Sequence, residues 1–375
     1  MAFQIKDFRS IAASMINYCR SVTTKVTDFN IGSVVRTMLE AAAAELEELY
    51  LQIFIGLKEA IPVATYNTFG FDLLPAATAS GLVRFSASGP AAAAIPIPLG
   101  TLVQVPGRTT TYATQTDASI AIGQTHVDVL CAASEPGSAS NVGANAITKL
   151  VGSIAGVVSV TNQAPLVNGR DIETESDRLA RFRDYIRTLA RGTISAVLFG
   201  AKTANRVDAN GVVVEYVAGA ALEEPWVTNP ANPISLVNVY VHNGASATSA
   251  ALVAEAQKII DGYYDIDGKA VPGWKAAGVK VVVYAATDQA INVTGTVAVS
   301  DGYQPADVIA QATAALQAYI QGLAVGADVL KSELISIVKR DVQGVSNVTL
   351  TAPAADVAIS ASAKAIAGTI TLTAA

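Results

Sequence analysis

The 375-residue sequence is short of the residue types that most catalytic and metal-binding chemistry uses. Its two cysteines, Cys19 and Cys131, lie far apart and supply neither a disulfide framework nor a zinc cluster. Its two histidines, His126 and His242, sit in strand-like alternation, with no second His, Cys or carboxylate at metal-ligand spacing. Aromatic residues make up 6% of the chain and charged residues 15%, against roughly 25% charged in ordinary soluble chains. There is no basic surplus: the formal net charge is −6, which argues against nucleic acid as a partner. No uninterrupted apolar run approaches the roughly 18 residues needed to cross a bilayer, so no membrane partner is expected. The opening MAFQIKDFRS has early charges and no apolar core, so no signal peptide is expected. A nucleophile elbow of the Gly-x-Ser-x-Gly type does not occur. The loop 137–145 (GSASNVGAN) lacks the Lys-Ser/Thr ending of a phosphate loop and reads as structural. These absences point away from an enzyme, and neither a cofactor nor a metal is expected.

What is abundant is Ala and Val, within a hydrophobic share of 51%. The length suggests two or three domains. A low-charge surface suits a subunit packed against neighbours; an Ala-rich host proteome would give the same composition. The patterning divides the chain into a helical region over 1–76, a β domain over 77–167 and an α+β domain over 168–375. The fold class expected is therefore multidomain α+β, with antiparallel sheets in the mixed C-terminal part.

The helical region begins with a helix over about residues 5–21. A longer one is expected from about Gly32 to Ile61, with Pro62 as its stop. Val35, Leu39, Ala42, Leu46, Leu49 and Ile53 alternate four and three apart, as in a heptad seam. Periodicity alone leaves two readings open: a hairpin with the first helix on the seam, or a bundle of several chains. In the β domain, short alternating runs separated by Pro106-Gly107 and Ile122-Gly123-Gln124 predict a small sandwich-like fold. Beyond it, strands are expected near 212–217, 236–241, 279–285, 292–299 and 345–351. Helices are expected near 249–263, 305–323 and 329–340.

The stretch 168–193 joins the β domain to the last one. Asn168-Gly169 reads as a turn in which Gly supplies positive φ. Asp171, Glu173, Glu175 and Asp177 follow, and Thr174 to Asp177 fits a helix-capping box. The helix expected from about Glu175 to Ala190 carries Leu179, Phe182, Ile186 and Leu189 on one face and Arg183, Arg187 and Arg191 as a second stripe. Asp177 and Arg181 have the spacing of an i,i+4 ion pair. Gly192 ends the helix and Thr193 caps the next. The charged face is either a solvated surface or a docking element for an acidic partner. The carboxylates lack the central Gly and terminal Glu of a calcium loop, and adjacent residues on a helix start do not face each other across a cleft as glycosidase pairs do.

Several segments, in fixed order, resemble the baseplate J-like family, wedge proteins of contractile phage tails and related injection machines. The main one is Asn168-Gly169-x-Asp171-x-Glu173-x5-Leu179-x-Arg181-x-Arg183, followed by Arg191-Gly192-Thr193. Others are Asp28-Phe29-Asn30-Ile31-Gly32-Ser33 to Arg36, Ile97-Pro98-Leu99-Gly100-Thr101, Ala132-Ala133 with Gly137 and Asn141-Val142, and Gly344-Val345 to Leu350 with Pro353. Arg170 stands where the family varies. The resemblance implies a structural subunit of a ring of six wedges around the central tail hub, located in the tail baseplate of a virion and assembled in the host cytoplasm. Its N-terminal helices would join a second copy and a tail protein I type wedge subunit, through Val35, Leu39, Ala42, Leu46, Leu49 and Ile53. A sheath-initiator type protein and the hub would be neighbours, and residues 168–375 would form the ring and loosen on contraction. Gly169, Asp171, Glu173, Asp177, Arg181, Arg183, Arg187 and Arg191 would carry the family motif and dock against other subunits. Two rivals are a tail-associated cell-wall hydrolase and a carbohydrate-binding adhesin. The adhesin is weakened because Trp226 and Trp274 both lie outside the β domain.

Overall fold

The structure, a computed structural model, describes residues 5–374. The chain forms two units, residues 1–72 and 73–375.

The first unit is a helical pair, α1 (Phe8–Val22) and α2 (Val34–Thr68). Asp7 caps α1 by accepting the Ser10 N–H at 2.9 Å, and Ser33 caps α2 by accepting from Arg36. Ile11 and Ala12 pack on Ala43, flanked by Phe8, Met15, Leu46 and Tyr50. The Phe8 N–H also donates to the Glu47 carboxylate at 2.9 Å. The expected stop at Pro62 is wrong: α2 runs through it, for 35 residues and roughly 50 Å. Proline removes one ladder bond and crowds the carbonyl four residues back. That carbonyl belongs to Lys58, in a stretch exposed from Leu51 to Ala64. Further along, the hydroxyls of Thr65 and Thr68 donate to the carbonyls of Ile61 and Ala64 at 2.9 and 2.8 Å. Gly70, at φ +59°, follows the helix end.

The second unit opens with a barrel-like β domain of β1 (Ser80–Ser86), β2 (Ile95–Ile97), β3 (Leu102–Gln104), β4 (Thr111–Thr114), β5 (Ala118–Ile120), β6 (His126–Ala133), β7 (Lys149–Leu150) and β8 (Ser159–Thr161). Six strands form one antiparallel sheet in the order β7-β3-β4-β6-β1-β8, and β2 pairs with β5. The two ends, β7 and β8, approach each other, so the sheet curls around one core instead of stacking as the expected sandwich. Val83, Phe85, Val103, Tyr112, Val129, Cys131 and Val160 fill it. Alternate residues of each strand point to that core, as period 2 requires.

The middle segment contains α3 (Glu175–Arg187), α4 (Ile194–Lys202), β9 (Asn205–Val207), β10 (Val213–Tyr216), β11 (Gly219–Glu223), α5 (Pro225–Thr228), β12 (Leu236–His242), α6 (Ala250–Asp261), β13 (Gly262–Tyr264), β14 (Ala270–Pro272) and β15 (Lys280–Ala285). The C-terminal segment contains β16 (Thr287–Val299), α7 (Pro305–Gly322), α8 (Lys331–Asp341), β17 (Val345–Ala352) and β18 (Ala363–Ala374). Each segment has a three-stranded sheet, β11-β12-β15 and β17-β16-β18. The expected antiparallel pairs are present as β11/β12 and β16/β17. Each sheet adds one parallel pair, β12/β15 and β16/β18. The cores are separate: Val239, Val241, Leu252 and Ile260 anchor the first, and Val293, Leu316, Leu334 and Val338 the second. The fold is multidomain α+β, with helices first, a curled β sheet next and mixed α/β units last.

Candidate docking site

Residues 168–175 tie the β domain to everything after it. Asn168 is buried; its Oδ1 accepts the Ser80 N–H at 2.8 Å, and its Nδ2 donates to Ser80 Oγ and to the Asn243 carbonyl. One side chain therefore joins the first strand of the β domain to the end of β12. The predicted positive φ at Gly169 does not occur. Gly is needed there for close approach instead, because a Cβ would meet Asn141 Oδ1, the Gly137 carbonyl and Ser140 Oγ, each at 2.7 Å. Asp171 accepts from the Ser138 N–H and hydroxyl at 2.8 and 2.6 Å, and these bonds hold its carboxyl below the usual range. Arg170 and Val213 both bridge to Ala77.

Glu173 is the best-enclosed acid of the motif, its side chain 6% exposed. It takes two hydrogen bonds from Arg181, both 2.7 Å, and one from the Leu74 N–H at 2.9 Å. Burial raises its pKa, but the Arg181 and Leu74 hydrogen bonds and the Arg181 charge outweigh that, and the net direction is down. The Asp177–Arg181 pair expected from spacing is thus replaced by Glu173–Arg181. Asp177 is engaged with Thr174, whose hydroxyl donates to its carboxylate at 2.7 Å and accepts its N–H at 3.2 Å; the N-cap half of the expected capping box is thus present, while the acid takes the Thr174 hydroxyl in place of the backbone N–H. Thr193 caps α4 as expected, and Gly192, at φ +82°, sits against Ala276.

The sequence left open whether the charged face of α3 is a solvated surface or a docking element. The structure exposes Arg183 and Arg187 and much of the apolar face as well: Leu179, Ile186 and Leu189 are 37%, 42% and 48% exposed, while Phe182 is half-buried and Arg178 and Thr188 are buried. The reason is aromatic. Tyr185 meets Phe199 of α4 at 5.8 Å between ring centroids, and Phe199 meets Trp274 at 5.4 Å, which fixes how α3 is turned. The arginine stripe divides accordingly. Arg191 folds back over the Trp274 ring at 3.4 Å, Arg187 approaches Asp184 at 3.4 Å, and Arg183 is exposed with no ion pair among the described residues.

Between α3, α4 and β10 lies a groove of about 620 Å3. Leu74, Leu198, Phe199 and Tyr216 provide its apolar lining; Arg170, Arg181, Arg187 and Lys202 provide positive charge, against one lining carboxylate, Asp184. Arg170 lies over the Tyr216 ring at 4.2 Å, and its Nε is buried without a partner. No group of three or more His, Cys, Asp or Glu side chains able to hold a metal occurs among the described residues. The buried His242 accepts the Gly244 N–H at Nδ1 and meets Asp288 at Nε2, both at 2.9 Å. Asp288 is 46 residues away, beyond the reach of spacing arguments. Among the described residues no helix is long and apolar enough to cross a membrane.

Residues 82–169 match the barrel domain of baseplate J-like proteins, and residues 291–373 match their C-terminal domain. The chain belongs to the baseplate J-like family. It is a structural protein of a phage-type tail baseplate. The first match ends at Gly169, in the junction just described, and the second spans nearly all of the β17-β16-β18 sheet with α7 and α8. The residues lining the groove lie outside both matched regions. Among solved structures, the chain is similar to one from the anti-feeding prophage baseplate, with 13% identity, a TM-score of 0.36 and coverage of 96% of this chain and 90% of that one. No curated protein matches.

Of the expected helix-seam residues, Val35, Leu39 and Leu46 are half-buried, and Ala42, Leu49 and Ile53 are exposed. The seam alone did not reveal how far the apolar surface extends. Leu51, Ile55, Leu57, Ile61 and Val63 are all 43–62% exposed too. At 3.6 residues per turn they surround the helix.

Proposed function

We propose that this family member is a wedge subunit of a contractile-tail baseplate, in a ring around the central hub that rearranges on contraction. The observation that carries the reading is the second half of α2. A helix apolar around its circumference is stable in water only when other helices surround it. α1 covers α2 only as far as about Tyr50. A half-exposed Leu or Ile gains about 1 kcal/mol from full burial, so the residues beyond Tyr50 together favour a bundle of several chains. The natural members are a second copy of this chain and a tail protein I type subunit, with a sheath-initiator type protein and the hub as further neighbours. Assembly would take place in the host cytoplasm.

The role is structural and not catalytic. Its support is that Asp171, Glu173 and Asp177 are each committed to donors of their own chain. A zymogram on purified protein tests this, and a zone of cell-wall clearing would reverse it. The bundle is tested by co-expression with the neighbouring wedge gene. Leu49→Asp with Ile53→Asp, both exposed, should leave the chain folded and abolish co-purification. Retention of the complex would reject the bundle.

A further inference from the structure

We infer that the groove between α3, α4 and β10 receives the β13–β14 hairpin tip of a second copy of this chain. The inference deepens the proposed self-association and rests on it, while naming a contact of different residues from the α2 bundle.

The groove has an apolar lining and a positive surplus in a chain whose net charge is −6. Arg181 is neutralised by Glu173, but among the described residues Lys202 is exposed with no ion pair, and the buried Arg170 Nε has no acceptor. A buried donor without a partner is uncommon in folded proteins. Arg170 lines a groove whose volume lies in the range, roughly 300–1,000 Å3, of sites that enclose compact ligands. The fitting ligand is acidic with an apolar point.

The β13–β14 hairpin of this chain is such an element. At the tip of the β13–β14 hairpin, Ile266 is 102% exposed and Tyr264 is 76% exposed. Asp265 and Asp267 flank Ile266. The tip is held in one shape: Asp265 Oδ1 accepts the N–H groups of Asp267 and Lys269 at 3.1 and 2.8 Å, and Gly268 turns the chain at φ +75°. Single exposed apolar residues are ordinary. An Ile wholly outside the surface, on a braced turn between two carboxylates, is a ready-made plug. Seated in the groove, Ile266 would meet the apolar lining and Asp267 would face Lys202 and Arg170, with Lys269 left for Asp184. The hairpin root lies by Thr203 and Trp274, at the end of α4, and Ile266 at the tip is fully exposed. Groove and plug are different surfaces, so the contact is head-to-tail, the kind that closes a ring or extends a filament.

The test replaces Ile266 with p-benzoylphenylalanine in the purified full chain, mixes isotopically light and heavy protein up to the solubility limit, and irradiates. The expected result is a light–heavy cross-link mapping to residues 195–203 or 216–218. Asp267→Lys should lower its yield about tenfold, Lys202→Glu likewise, and the two together should restore it. Both positions are exposed, so folding is not at stake; circular dichroism confirms this. An absent inter-chain cross-link, one mapping elsewhere, or no restoration in the double variant overturns the inference. Because the α2 variants are scored separately, loss of the cross-link with an intact α2 complex removes the hairpin contact alone. Loss of the α2 complex with an intact cross-link removes the bundle alone.

Discussion

Replacing Glu173 with Ala would remove the acid that fastens α3 to the segment entering the β domain. The side chain is 6% exposed and its partner Arg181 is 22% exposed. Three charge-assisted hydrogen bonds disappear, at 2.7, 2.7 and 2.9 Å. Breaking a fully buried pair costs about 3–5 kcal/mol, because the remaining charge is stranded. Arg181 keeps some solvent, which screens it, so about 2–4 kcal/mol is expected here. Glu173→Gln retains an acceptor for the Leu74 N–H and should lose about half as much. Urea unfolding of the purified chain, followed by the fluorescence of Trp274 and Trp226, measures both. The sign of the pH dependence follows from the lowered carboxyl. A depressed folded pKa contributes stability that is fully present above the unfolded value, near 4.5, and is lost as pH falls through the folded value. The wild type should therefore lose its advantage over Glu173→Gln below about pH 4.5. A Glu173→Ala loss under about 0.5 kcal/mol, or a gap that does not change in acid, would refute the junction as described.

Lys364 is buried, and its ammonium donates to the Ile320, Gln321 and Ala365 carbonyls, at the end of α7. Burial lowers its pKa from 10.5 to about 8, against the opposing pull of Asp288. The unfolded chain then binds more protons between those values, so stability should rise from about pH 8 toward 10.5 and the rise should vanish in Lys364→Met, as read by thermal unfolding across pH. A Cβ at Gly200 would run into the Trp274 ring, so Gly200→Ala should cost about 1–3 kcal/mol and shift Trp274 emission. Arg183→Ala, Arg187→Ala and Arg191→Ala combined should stay within about 1 kcal/mol of wild type in urea, nearly all of it from Arg191 over Trp274. Unfolding of that triple variant would make the stripe a structural feature and not a docking face.

Local signals in the sequence were reliable where the chain settles its own geometry. Thr174 and Thr193 cap helices as their positions imply, and the runs expected near 236–241, 279–285 and 345–351 are strands. What was illegible depends on distant partners. Gly169 reads as a turn glycine, yet its constraint comes from the loop near Ser140, and Arg181 finds Glu173 on the far side of the helix start, not the i−4 acid. The turn of α3 is set by Trp274, about 90 residues on, and much of its apolar stripe faces outward against the usual amphipathic logic. Pro62 fails as a stop because the helix around it is exposed. The groove was invisible, since Arg170 and Lys202 share no sequence pattern; the motif pointed only to its edge. The outward Leu51–Val63 surface continues a heptad that was legible, and the extent of its exposure was not.

The central claim is that the second half of α2 is enclosed by other chains in an assembled baseplate. Hydrogen–deuterium exchange of residues 51–64, compared between the free chain and the purified particle, tests it directly. The account predicts fast exchange in the free chain and strong protection in the particle, with little change in the β domain. Equal, fast exchange of these residues in both would contradict it.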